Sequence, residues 1–94
     1  MIFQESDVGD HRIYVGAIEA PRGDGYIAAL VVEHRPLDSG RAPRETYRDD
    51  ALACGHQWPA AEAALVYAMR RGREVVARER QRLFLIDAAA EASA

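Results

Sequence analysis

This chain of 94 residues contains no lysine; all twelve of its basic residues are arginine. Biased base composition of the gene is one source of such usage. Selection for the bidentate contacts that arginine makes and lysine does not is the alternative. Cysteine is almost as scarce. Cys54 stands alone, so no disulfide can form within the chain. No apolar run approaches the roughly 18 residues that a membrane-spanning helix needs. The opening MIFQESD has no basic stretch followed by an apolar one, the pattern of a signal peptide. These absences lead us to expect a soluble, cytoplasmic protein with no membrane partner. A formal charge of -3 leaves no global field to draw the chain to nucleic acid or anionic lipid.

What is present fits one domain spanning residues 1–94. The hydrophobic fraction of 49% suffices for a single core, but much of it is alanine, which buries little area per residue. The core should therefore be thin, and association with a second copy would bury more.

Strand signals dominate the first half. In HRIYVGAIEA, Ile13, Val15 and Ala17 share one face, with Tyr14, Gly16 and Ile18 on the other. In YIAALVVEH, Tyr26, Ala28, Leu30 and Val32 alternate against Ile27, Ala29 and Val31. Between them PRGDG, with Gly23 and Gly25 free to take positive φ, predicts a hairpin. One face should meet a helix; the other is free for a partner or for a short N-terminal strand over Ile2 to Gln4. Residues 36–43, rich in proline and glycine, form a loop. RETYRDD, residues 44–50, alternates weakly and supplies a third strand, which ALAC at 51–54 extends or follows with a short strand of its own.

After Trp58 the pattern changes. Pro59 suits the first turn of a helix, the following alanines and Leu65 favour one, and Glu62 complements the N-terminal dipole. No Ser, Thr, Asp or Asn cap precedes Pro59. Trp58, Ala61, Leu65 and Ala68 or Met69 make a stripe that fits packing on a sheet. Gly72 either stops this helix or sits inside a longer one at a cost of about 1 kcal/mol relative to alanine. The series Leu65, Met69, Gly72, Val76, Glu79, Leu83, Ile86 advances in steps of four and three, which favours a helix over 59–90, with a possible bend at Gly72. A helix of that length reaches about 45 Å, more than the width of so small a domain, about 25–30 Å. Its tail should overhang, exposing Leu83, Phe84 and Ile86 for dimerisation. The expected fold is α+β: an antiparallel sheet of three to four strands packed on one long C-terminal helix, with residues 1–58 forming the sheet part.

Signals for chemistry are sparse. Cys54-Gly55-His56 places a thiol near an imidazole, a nucleophile pair or two metal ligands. The spacing is too short for the usual zinc pairs, and His11 and His34 join them only if the fold happens to bring them there. A small buried cysteine and a loop histidine account for the same residues. Glu45, Asp49 and Asp50 around Arg44 and Arg48 fit the solvent face of a charged strand. No cofactor, metal or small-molecule ligand is implied, and we expect no catalysis. The strongest charge feature lies in residues 70–82, where six arginines meet two glutamates for +4, while the remaining six arginines and thirteen acids leave -7. Arg70, Arg71, Arg73 and Arg78 are candidates for contact with nucleic-acid phosphates, with a second subunit, or with solvent alone. No aromatic residues are interleaved among them to stack bases.

The order of strands followed by G-x-x-W-P-x-x-E-A-A-x-x-Y-A-x-x-x-G-R resembles small bacterial domains of unknown function that pair an antiparallel sheet with one C-terminal helix; the likeness covers roughly residues 11–77. The pattern is also similar to the three-stranded-sheet-plus-helix DNA-binding domains of ethylene-response factors and integrase arm-binding modules. That resemblance implies a sheet laid in the major groove, with Arg12, Tyr14, Arg35, Arg44 and Arg48 at the matching positions. Glu19, Asp24, Glu33, Glu45, Asp49 and Asp50 depart from it, since carboxylates repel phosphate. The function expected on balance is a non-catalytic interaction or assembly domain that self-associates through its C-terminal helix, with nucleic-acid binding as the alternative.

Overall fold

The computed structural model describes residues 1–36 and 40–92, with side chains up to Leu85. Four antiparallel strands follow one another in space as in sequence: β1 (Ile2–Val8), β2 (His11–Glu19), β3 (Tyr26–His34) and β4 (Arg44–Asp49). A short fifth strand, β5 (Gln57–Trp58), pairs with the start of β3. It runs along the same side of β3 as β4, so β4 and β5 form two stretches of one interrupted edge. The N-terminal strand is longer than the Ile2 to Gln4 expected. It is joined to β2 by the two-residue turn Gly9-Asp10, where Gly9 supplies the positive φ that such a turn needs.

Between β4 and β5 the expected extension of the strand through residues 51–54 is replaced by a single helical turn, α1 (Leu52–Gly55). Ala53 and Cys54 lie in the left-handed region, at φ 53° and 57°, where a strand cannot continue. The excursion carries Leu52 into the core while leaving Cys54 exposed.

Helix α2 spans Ala61–Ala92 without interruption at Gly72. Pro59 falls just outside it, and the Ala60 carbonyl accepts the first helical hydrogen bond from the N–H of Ala64. With alanine there, no side chain caps the helix. Alternation on the strands decides the core. Ile13, Val15 and Ala17 of β2 and Ala28, Leu30 and Val32 of β3 are buried beneath Ala61, Ala64, Leu65, Ala68, Val75 and Val76 of α2. Trp58 and Met69 are half-buried at its margin.

Gly72 explains its own presence. A Cβ built there would stand 2.6 Å from Ile13 Cγ2 and 3.0 Å from Leu30 Cδ1. The helix approaches the middle of the sheet so closely that no side chain fits at this position.

The helix outruns the sheet. The molecule measures 57 × 24 × 16 Å, with a radius of gyration of 15.8 Å, against about 12 Å for a compact chain of this length. Residues of α2 past Glu79 project beyond the ends of β2 and β3.

Candidate functional site

The features that stand out lie where α2 leaves the sheet. The stripe that covers the core continues along the helix through Val76, Glu79 and Leu83. Val76 is buried, Glu79 is half-buried, and Leu83 is 41% exposed. Phe84 and Leu85, turned about 100° and 160° away from Leu83 around the helix, are 70% and 58% exposed. Of the expected interface residues, Leu83 and Phe84 are thus open to solvent, while the side chain of Ile86 lies outside the described residues.

Beneath this departure point two histidines meet. The turn closed by Ala20 and Gly25 sets the β2–β3 register, and that register makes His11 and His34 partners. Both continue the alternation of the buried face, one on each strand at the open end of the hairpin. Their ring centroids are 4.8 Å apart. Asp10, in the β1–β2 turn, reaches both rings: Oδ1 is 2.9 Å from His11 Nδ1 and Oδ2 is 2.8 Å from His34 Nε2. A backbone hydrogen bond from the Arg35 N–H to the Asp10 carbonyl pins this turn to the end of β3.

Glu79 closes the arrangement from the helix. Its Oε2 accepts a hydrogen bond from Thr46 Oγ1 at 2.9 Å and lies 2.9 Å from His11 Nε2. The latter contact is out of line, so Nε2, fully buried, has no hydrogen-bond partner. A recess of about 270 Å³ opens beside the group, lined among others by His11, His34, Arg44, Thr46, Glu79 and Arg82.

Burial alone would raise the Asp10 carboxyl above its ordinary value. Hydrogen bonds from His34 and from its own backbone N–H, together with the charge of the neighbouring histidines, outweigh that and hold it below. Asp10 is therefore a carboxylate at neutral pH, shared between two imidazoles. Among the described residues, Asp10, His11 and His34 form the one group of three or more ligand-type side chains whose donor atoms converge, all within 4.8 Å of one another.

No family model, curated protein or solved structure matches the chain. The resemblances drawn from the sequence extend to the arrangement of an antiparallel sheet with a C-terminal helix, and no named relationship follows from them.

The remaining candidates separate. Cys54 is exposed, and His56 stands edge-on to the Trp58 ring, 4.5 Å between centroids; His11 and His34 gather with Asp10 instead. On the sheet, Arg12 pairs with Asp7, Arg35 with Glu33, and Arg48 with Glu45 and Asp50. Arg35 and Arg48, which the DNA-binding resemblance would use, are thus occupied by carboxylates that depart from it, and Arg12 by Asp7. On α2, Arg71 pairs with Glu74, and the Arg70 guanidinium lies 5.4 Å from the centre of the Tyr67 ring. Helical geometry places Arg71, Arg78 and Arg82 along one flank of the buried stripe and Arg73 and Arg80 along the other, so the six arginines present no single face.

The His–Asp–Glu group was missed in the sequence, although two signals pointed to it. Glu79 interrupts an otherwise apolar helical stripe. His11 and His34 occupy core-facing positions of paired strands.

Proposed function

We propose that this protein is a non-catalytic assembly domain that pairs with a second copy of itself through the part of α2 beyond the sheet. One observation carries the reading: Leu83, in phase with the buried stripe, is 41% exposed where the sheet ends, and Phe84 next to it is open to solvent. Consecutive large apolar side chains lose free energy in water, and a second apolar surface removes that cost. Two overhangs laid antiparallel give each copy the apolar surface that the other lacks. Charge favours a second copy of the chain over an unrelated basic or neutral protein. The segment at 70–82 carries +4 and the rest of the chain -7, so the arginines of one copy find carboxylates on the other.

Sedimentation velocity across low to high micromolar concentration tests this. A dimer is expected for the natural chain, and a monomer for the double variant Leu83→Glu, Phe84→Glu with unchanged circular dichroism. A natural chain that stays monomeric at high micromolar concentration overturns the proposal. The rival reading, nucleic-acid binding through Arg70, Arg71, Arg73 and Arg78, has the divided placement of the arginines against it. It would require salt-sensitive binding of duplex DNA by the monomeric double variant.

A further inference from the structure

We propose that Asp10, His11 and His34 bind a divalent transition-metal ion of the zinc class, with Glu79 as the carboxylate behind His11. A neutral imidazole has one N–H, yet His11 has a carboxylate oxygen 2.9 Å from each ring nitrogen, Asp10 at Nδ1 and Glu79 at Nε2. A proton on Nδ1 leaves a bare lone pair on Nε2 facing Glu79; a proton on Nε2 leaves one facing Asp10. Either neutral tautomer sets two lone pairs against each other inside the protein; the ring is matched on both sides only as an imidazolium or with a metal ion in place of one proton.

A metal ion between Asp10, Nδ1 of His11 and Nε2 of His34 removes the conflict. The donor atoms already lie within 4.8 Å of one another, and a tetrahedral ion with bonds of about 2.0–2.2 Å spaces its ligand atoms about 3.3–3.6 Å apart, between the 2.8 and 2.9 Å contacts of Asp10 and that outer limit. With the ion on Nδ1, the His11 proton sits on Nε2, and a small rotation of the ring or of the Glu79 carboxylate would bring their 2.9 Å contact into line for donation. Glu79 is in turn held by Thr46. That is the carboxylate–histidine–metal relay by which proteins fix the tautomer of a ligand histidine. His34 keeps its proton on Nδ1. The charges of Asp10 and Glu79 balance the two of the ion. Among the charged groups around the cluster, Asp10, Glu45 and Glu79 outnumber Arg44 and Arg82 by one.

Donor chemistry selects the metal. Two imidazoles and one carboxylate suit zinc and its neighbours, whereas calcium and magnesium take oxygen ligands. Asp10 and His34 keep side-chain exposures of 34% and 23%, which leaves an open position for water.

Titration of the full chain with zinc chloride at pH 7.5, followed by calorimetry, should give one site with a dissociation constant of about 10 μM or tighter. His34→Ala should abolish binding in this range, and Glu79→Gln should weaken it about tenfold or more. Cys54→Ser should leave it unchanged. The histidine-ring ¹⁵N spectrum of the natural chain serves even where a variant fails to fold. One equivalent of zinc should move Nδ1 of His11 and Nε2 of His34 to metal-bound positions. A flat titration, binding that survives His34→Ala, or a spectrum in which only His56 responds overturns the proposal.

Discussion

The two halves of α2 have similar composition and opposite surroundings. From Ala61 to Glu79 the helix lies on the sheet, and its stripe of alanine, Leu65, Val75 and Val76 is buried. Past Glu79 the same stripe reaches Leu83 at the rim of the sheet, where it is 41% exposed. Apolar spacing therefore specifies which side of a helix is greasy, but not whether anything covers it. Cover is decided by the length of the strands, and β2 and β3 end at His11 and His34.

Truncating a leucine on each half gives the largest expected contrast. Leu65→Ala opens a cavity in the core and should cost about 2–4 kcal/mol in denaturant unfolding. Leu83→Ala, five full turns further along the same stripe and measured at concentrations low enough to hold the chain monomeric, should cost about 1 kcal/mol or less. Equal losses would mean that the far half is covered within one copy, and the contrast would disappear.

Gly72 sharpens the same contrast on the covered half. Alanine is the better helix former by about 1 kcal/mol. Its methyl would meet Ile13 and Leu30 at 2.6 and 3.0 Å, and overpacking of this kind typically costs about 1–3 kcal/mol. Gly72→Ala should therefore destabilise by a net amount of up to about 2 kcal/mol. A stabilised variant, judged by its unfolding midpoint, would show that the helix does not press on the sheet as closely as described.

Much of this architecture was legible beforehand, and the reasons are local. Period-two alternation placed Ile13, Val15 and Ala17 on one face, and Leu30 and Val32 on one face, because a strand has only two sides. The 3–4 spacing carried the helix through Gly72. The turn at α1 was not legible, since ALAC has helical and strand propensities and nothing in it announces left-handed residues at Ala53 and Cys54. The histidine group was half legible. His11 and His34 fall in phase with the buried positions, but their meeting with Asp10 and Glu79 depends on hairpin register and on where the helix crosses, which are properties of the assembled fold.

The smallest expected effect belongs to the face of the sheet turned away from α2. There Asp7 and Arg12 pair, with Arg12 Nε 2.7 Å from Asp7 Oδ1. The hydrogen bond from Arg12 holds the Asp7 carboxyl below its ordinary value, a little offset by desolvation and reinforced by the charges of Arg12 and Arg35. A carboxyl whose folded value is lowered binds its proton more readily in the unfolded chain. Its contribution is thus complete above about pH 4, the ordinary carboxylate value, and fades as pH falls through the lowered folded value. The pair is exposed, so the effect should be slight and weaker still in high salt. Unfolding curves of the natural chain and of Asp7→Asn should differ a little at pH 7 and converge toward pH 3. A gap that stays constant over that range would mean that Asp7 acts through the shape of the turn instead of through its charge, and that packed contacts on the covered side are not the only ones that matter near the end of the sheet.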